Sequence, residues 1–427
     1  MHIAVLGAGI AGLSAAYFLR RSGGPRVTLI EADREVGGLA RSFRWHGFDC
    51  DLAPHRLYSQ DARLMEEITS LLPMHELQRH SRIHIAGKWI NDPVNALELM
   101  LKFFPKGSWE IGWHYLTRQS HGDKSFESLV LSRFGHGLNQ FFFKPYSEKL
   151  FGIPAGEISP EWGRRKIRVG GVRDMVRRNS KLYFRRFHYP DAGGYGAICQ
   201  RLYSDVKDIV RLKTRLVDLH RDARTGKFTL DLIRDGAREQ LRVDAVISSL
   251  PLTMVLDKLG LSIPMRFRPA VITYLLVKRP QVTRNHWFYL ADAKYRVNRV
   301  AEFKNFALDP DSLPPDSTVL CCEATNLDGL TVERVVQELA SIGVLHPSEV
   351  IDAMQLRLDQ AYPIYDLAYE ANIARVRHFL AERPNLFFVG RNAQFEHKDV
   401  DEIFDDARGV AEQVFALAGE EAMLVPA

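Results

Sequence analysis

Cysteine is scarce in this 427-residue sequence, and the four present, Cys50, Cys199, Cys321 and Cys322, have no paired spacing. That argues against a disulfide framework and a cysteine-built zinc site, and it suits a reducing compartment. No metal centre is expected. No apolar run approaches the roughly 20 residues a spanning helix needs. Internal repeats and low-complexity linkers are also missing, which sets repeat architectures aside. Net charge is only +5, too small by itself to imply a nucleic-acid partner. The first strand starts at residue 2, so no cleavable leader is expected, and the cytoplasm, or a site peripheral to a membrane, is the expected location.

What is present is an ordinary globular composition, 46% hydrophobic and 26% charged, long enough for two or three packed units. The chain opens with "HIAVLGAGIAGLSAAYFL". An apolar, β-capable run at residues 2 to 6 meets Gly7, Gly9 and Gly12 and passes into helical spacing from Leu13 to Leu19. Strand, glycine turn and helix in that order are what a dinucleotide fold requires. Gly7 permits the tight turn, Gly9 lets backbone N–H groups approach a pyrophosphate, and Gly12 lets helix and strand lie close. The helix N-terminus then faces the anion. "RVTLIEAD" supplies the next strand and ends in Glu31, nineteen residues past Gly12, where a carboxylate can accept both ribose hydroxyls.

An acid at that position favours an unphosphorylated ribose, hence NAD or FAD. The next stretch, "VGGLARS", is a second glycine-rich turn that brings backbone near Gly38 and Leu39. A nicotinamide site has no need of it, whereas FAD has a ribityl chain and ring to guide, so FAD is the expected cofactor. Residues 210 to 252 alternate in period two around polar turns such as Arg224-Thr225-Gly226. They read as a β-meander that rejoins the sheet at Val246 to Leu250. Near the C-terminus "FVGRNAQFEHKDVDEIFDDA" stops an apolar run at Gly390-Arg391 and restarts as a helix, with Asp401 fitting as the cap of a helix from Glu402.

These stretches, with "DLAPHRLYS", "KPYSEKLFGIPAGEISPEW", "FHYPDAGGYGAI", "RVAEFKNF" and "AYPIYD", resemble the flavin-containing amine oxidoreductase superfamily. Within it they are similar to the branch of UDP-galactopyranose mutases and protoporphyrinogen-oxidase-like proteins. The resemblance implies an α/β architecture: a glutathione-reductase-like (Rossmann) FAD-binding domain from residues 1–60, 190–264 and 385–420, with an inserted α+β substrate domain. The insert would comprise 61–189, largely helical, and 265–384, mixed. It further implies that Gly390, Arg391, the Val400 backbone and Asp401 hold the flavin's ribityl and phosphate region, and that adenine lies against the strand near Leu216. Both ends of the chain would grip one cofactor.

By the same resemblance His55 and Arg56 sit at the flavin's reactive edge, and Arg299, Tyr362 and Arg391 match groups that bind a sugar nucleotide in the mutases. The sequence departs from the mutases at Pro54, where they carry glycine, and at His397, where they carry tyrosine; Glu396 adds a negative charge. The activity implied first is isomerisation of a nucleotide sugar through reduced flavin, without net oxidation. NAD(P)H would serve as transient external reductant. The alternative is an FAD oxidoreductase that takes hydride from an amine or apolar substrate, with Lys304 as the lysine such enzymes hold near the ring. A binding protein that has lost catalysis is the third reading.

Two further stretches have no role in that scheme. Arg164 to Arg186 is strongly basic and reads as a solvated face or a surface for anions. Pro93 to Leu116, "PVNALELMLKFFPKGSWEIGWHYL", reads as ordinary core, as a hydrophobic wall or as a membrane-facing helix.

Overall fold

Ile3, Ala4, Val5 and Leu6 have no exposed surface, because their strand, His2–Leu6, lies in the middle of a five-stranded parallel sheet. The order across that sheet is Leu386–Phe388, Ala245–Ser248, His2–Leu6, Arg26–Ile30 and Val210–Arg211. A parallel sheet is covered on both faces, so its strands read as apolar runs rather than alternations. The computed structural model describes residues 1–427 except 22, 93, 95, 104–105, 167–185 and 424–427. Most of the basic stretch from Arg164 to Arg186 thus lies outside the described residues.

Helix Ile10–Arg21 follows the first strand and is buried along most of its length. It packs against helices Ala197–Val206 and Val400–Met423, so residues from three distant parts of the chain close over one face of the sheet. The expected meander is present as Thr214–Arg221, Phe228–Arg234 and Ala237–Val243, all antiparallel. Ala245–Ser248 then pairs in parallel with the first strand.

A second sheet carries the inserted region. Its seven strands run in the order Val350–Pro363, Phe267–Val277, Thr318–Ala324, Val297–Glu302, Trp287–Leu290, Ser81–Ile85 and Lys88–Asn91. The last two come from the stretch expected to be largely helical. Their signal is a hairpin: Ala86 and Gly87 both take positive φ, the two-residue turn that matches strand twist. Helices Phe126–Leu138, Lys144–Phe151 and Pro160–Lys166 supply the helical part. The α/β class with an inserted α+β region is therefore what the chain forms.

Packing around the first turn explains its glycines. Gly7 holds φ +90, and a Cβ on Gly12 would lie 1.9 Å from the Gly7 carbonyl oxygen. Overpacking of this kind costs about 1–3 kcal/mol or more. Gly12→Val is expected to lower the unfolding midpoint clearly, whereas Gly409→Ala, whose new methyl would meet nothing within 4 Å, should leave it unchanged or raise it. Calorimetry on both variants checks this, and equal midpoints would remove the close approach at Gly12 as a constraint.

Candidate functional site

Two glycine turns form the floor of a cleft above the parallel sheet. Gly37 donates its N–H to the Ala8 carbonyl at 2.8 Å, and a Cβ on Gly38 would stand 3.1 Å from Gly9 Cα. Gly390, at φ +99, presses on the first turn of the opening helix, where its Cβ would come within 2.6 Å of the Ala11 methyl. Gly7, Gly9, Glu31, Gly38, Leu39, His55, Gly390, Arg391 and Val400 all line this cleft. Glu31 is fixed at one end, its two carboxylate oxygens accepting from Ala8 N–H at 2.7 Å and Asp33 N–H at 2.8 Å.

The donor set fits a dinucleotide. Bare backbone and the N-terminal ends of two helices meet where a pyrophosphate would lie, with a carboxylate at the ribose end and Arg391 at the other. Gly12 supports the turn from beneath, its Cβ position being filled by Gly7. Leu216 does not line the cleft, but its strand is tied to the ribose end, since Thr214 N–H donates to the Glu31 carbonyl at 2.8 Å.

Asp401 is not the cap of the last helix. That helix starts at Val400, and Asp399 precedes it, its carbonyl accepting from Ile403 N–H and its own N–H donating to Glu402 Oε2 at 2.8 Å. The acid three residues after the cap position, half of a capping box, was the signal. Asp401 is turned inward instead, with burial pushing its carboxyl up and a hydrogen bond to Ser59 opposing that.

Beyond the cleft, cross-strand register builds a polar row on the second sheet. Tyr289 stands opposite Arg299, and Arg299 opposite Glu323, which places all three side by side on one face. Glu323 Oε2 accepts from Arg299 Nη2 at 2.7 Å and Nε at 2.9 Å. Its Oε1 accepts from the Tyr362 hydroxyl. Tyr362 stacks on His397 with ring centroids 6.0 Å apart and planes 6° from parallel. Burial opposes the Arg299 charge, but Glu323, Tyr362 and Tyr289 together more than offset it and the guanidinium is held more firmly charged than usual.

His55 and His397 are both kept neutral. Burial lowers His55 to about 3, helped by the charges of Arg391 and Arg299. His397 is driven well below the ordinary histidine range by burial and then by Arg391. The shared influence of Arg391 shows that His55, His397, Arg299, Tyr362 and Arg391 occupy one electrostatic neighbourhood. The negative charge of Glu396 is answered by Arg165 at 3.1 Å and Lys398 at 3.3 Å.

Arg56 points away from its neighbour. His55 lines the cleft, whereas the Arg56 guanidinium lies over Trp287 at 5.6 Å and Tyr58 at 5.9 Å. Its Nη1 is buried and has no hydrogen-bond partner among the described residues. Nearby Arg79 lies over the same indole at 5.2 Å and is paired with Asp92. Of the two residues expected to bring charge to the reactive edge, only Arg56 is a cation, and it faces the second sheet.

Lys304 is displaced from its expected role: its ammonium donates to the carbonyls of Pro314 at 2.8 Å and Ser317 at 3.4 Å and does not line the cleft. Sequence reasoning missed Glu323, Tyr289 and Tyr146. Tyr146 is half-buried, lies edge-on to Tyr289 at 6.2 Å and feels Arg299 and Glu323. For Glu323 a signal existed, since a lone acid in "TVLCCEA" is an anomaly in a strand buried at every position.

A family model for an NAD(P)-binding Rossmann-like domain matches residues 5–69. An L-amino-acid oxidase from Bothrops pauloensis is 25% identical over 269 residues, 57% of this chain and 50% of that protein. Coproporphyrinogen III oxidase from Staphylococcus aureus (strain NCTC 8325 / PS 47) is 24% identical over 255 residues, 51% of this chain and 54% of its own. The chain spans about half the length of the curated relatives it matches. Reduced UDP-galactopyranose mutase superposes with a TM-score of 0.83 at 20% identity, over 97% of this chain and 94% of that one. At that identity the likeness shows fold. Together the comparisons support the resemblance to the flavin-containing amine oxidoreductase superfamily.

The loop that carries His55 hangs from one buried carboxylate. Asp51 Oδ1 accepts from Ser42 Oγ at 2.5 Å and Tyr195 N–H at 2.8 Å, and Oδ2 accepts from the Tyr189 hydroxyl at 2.9 Å. Tyr195 in turn stacks under His55 at 5.0 Å. Burial pushes Asp51 up to about 7, against those hydrogen bonds. Because the folded value lies above the unfolded one, the stabilisation from protonated Asp51 is complete below about pH 4 and is lost as pH rises through about 7. Denaturant titrations should therefore show wild type losing a few kcal/mol relative to Asp51→Asn across that window and levelling off above it. Parallel curves would show that Asp51 titrates normally.

Proposed function

We propose that the chain binds FAD in the glycine cleft and acts as a flavoenzyme on an anionic, nucleotide-activated sugar, as an isomerase of the mutase type. Bound there, the flavin would supply a hydride acceptor when oxidised or a nucleophilic ring nitrogen when reduced. Gly9, Gly38 and Gly390 would let backbone approach its phosphates, and Glu31 would hold the adenosine ribose. A nicotinamide nucleotide would act as transient reductant.

The observation that carries this reading is that His55 and Arg391, which line the cleft, share one electrostatic neighbourhood with Arg299 and Tyr362, with Arg56 as a half-buried cation whose buried Nη1 is unpartnered among the described residues. A buried guanidinium N–H left without an acceptor is costly, and a substrate anion would relieve that cost. Arg56 would hold a phosphate or carboxylate oxygen. Neutral His55 can give or take one hydrogen bond without adding charge. Glu323 Oε1 accepts from the Tyr362 hydroxyl and fixes its orientation, while burial and that carboxylate push the phenol up, so Tyr362 stays protonated. The lysine expected of an oxidase also loses its candidate, since Lys304 faces the Pro314–Ser317 loop.

One observation favours a second reading. Glu323 cancels much of the charge Arg299 would offer to a diphosphate, and a carboxylate in that row would receive a cationic amine. Curated relatives named as L-amino-acid oxidases agree with an FAD oxidoreductase acting on such a substrate.

Anaerobic turnover separates the two. Chemically reduced protein supplied with UDP-galactose should yield a ring isomer while the flavin stays reduced. Bleaching of oxidised flavin by an amine or amino acid, without isomer formation, would overturn the mutase reading in favour of the oxidoreductase, and no turnover with either would leave a binding role. Arg56→Met should weaken binding of the anionic substrate about ten- to a hundredfold, the scale of a lost charged hydrogen bond, with flavin content unchanged. Undiminished affinity by titration calorimetry would remove Arg56 from the substrate site.

A further inference from the structure

Eight large apolar side chains are well exposed among the described residues, and four of them cluster: Leu101 at 71%, Trp109 at 72%, Trp113 at 54% and Leu116 at 77%. They lie on two successive helices, Ala96–Phe103 and Lys106–Leu116. The other four, Val217, Leu308, Ile351 and Leu367, are scattered along the chain. Single exposed apolar residues are ordinary, but a group of this kind marks an interaction surface.

The exposure is built in. A Cβ on Gly135 would stand 2.3 Å from the His114 carbonyl oxygen, and one on Gly137 2.9 Å from Ile111 Cα. These two glycines let helix Lys106–Leu116 lie backbone to backbone on helix Phe126–Leu138 through its Ile111 and His114 side. At 3.6 residues per turn, Trp109, Trp113 and Leu116 then share the opposite side, away from the protein. The two indoles stack with centroids 6.2 Å apart and planes 16° from parallel.

Charge around the patch leans positive. Arg118 is exposed, its guanidinium 4.0 Å over Tyr115, and Lys124 is exposed beyond it. Among the acids, Glu98 is held by Lys102 at 2.7 Å and Asp123 faces Arg164 at 3.6 Å, while Glu110 is exposed. The whole chain carries +5. No helix among the described residues is long and apolar enough to cross a membrane. Tryptophan with leucine, rimmed by basic groups, suits the headgroup zone of a bilayer, where the ring is buried and its N–H stays wet. A second copy of the chain is disfavoured, because a two-fold contact through this patch would set basic rim against basic rim.

We propose that helices Ala96–Phe103 and Lys106–Leu116 dock the protein on an anionic bilayer surface through Trp109, Trp113, Leu101 and Leu116. Aromatic contacts continue inward from the docked helices. Phe103 packs on Phe141 at 4.8 Å, Phe142 stacks on Tyr146 at 5.8 Å, and Tyr146 meets Tyr289 of the polar row at 6.2 Å. Docking would thus place the candidate site near the membrane surface. Vesicle binding needs no flavin chemistry, so this proposal stands or falls apart from the preceding one.

The test is co-sedimentation of the full chain with vesicles of phosphatidylcholine, with and without phosphatidylglycerol. Wild type should pellet with the anionic vesicles, with a blue-shifted tryptophan emission, and release at high salt. The double variant Trp109→Ser/Trp113→Ser should partition about tenfold less or weaker still, the scale of two aromatic rings kept out of the interface. Leu116→Glu, a single exposed change, should weaken binding as well and guards against misfolding of the double variant. Wild type remaining in the supernatant, or variants that bind undiminished, would overturn the proposal. So would a wild-type dimer in sedimentation velocity that either variant dissolves, since a second copy would then cover the patch.

Discussion

Bare backbone meeting bare backbone is the constraint on which the rest of this structure depends. Gly9 and Gly38 lie close, a Cβ on Gly38 coming within 3.1 Å of Gly9 Cα at a φ of +53, Gly12 lies against Gly7, and Gly390 presses on Ala11. Those contacts draw residues from the first forty and the last forty positions to one spot above the sheet. They also aim two helix N-termini at a common point, where an anion is favoured by partial charge and by free N–H groups. A side chain at Gly12 or Gly390 would force the neighbouring backbone or the Ala11 methyl to shift.

Electrostatics takes over where the cleft ends. Cross-strand register aligns Tyr289, Arg299 and Glu323, so the second sheet presents an ion pair already satisfied within itself. The two imidazoles beside it are neutral. Arg391, in the cleft, donates from Nε and Nη2 to the Lys398 carbonyl, whereas Arg56, over Trp287, keeps a buried Nη1 without a partner among the described residues. Charge in this site is therefore distributed by burial and pairing rather than by the count of basic residues.

Much of the cofactor-type domain was legible because its signals are local. Strand, glycine triplet, helix and acid follow each other within the first 31 residues, and the meander announces itself by alternation around polar turns. The resemblance added Gly390 and Arg391, which composition alone could not connect to Gly7. Register was not legible: nothing in the spacing of Arg299 and Glu323 says that they stand opposite one another. Lys304 looked free in "RVAEFKNF" and is spent on two loop carbonyls. Asp401 resembled a cap because Asp, Glu and Asp recur at that helix start, and only hydrogen bonding singles out Asp399. Asp51 drew no notice because its three donors, Ser42, Tyr189 and Tyr195, come from separate parts of the chain.

The measurement that bears most directly on the central claim is the visible absorption spectrum of the purified chain, read before and after incubation with excess FAD. Flavin absorption at close to one equivalent per chain, surviving gel filtration, is the result the glycine cleft predicts. A colourless protein that stays colourless after refolding with excess flavin would contradict it.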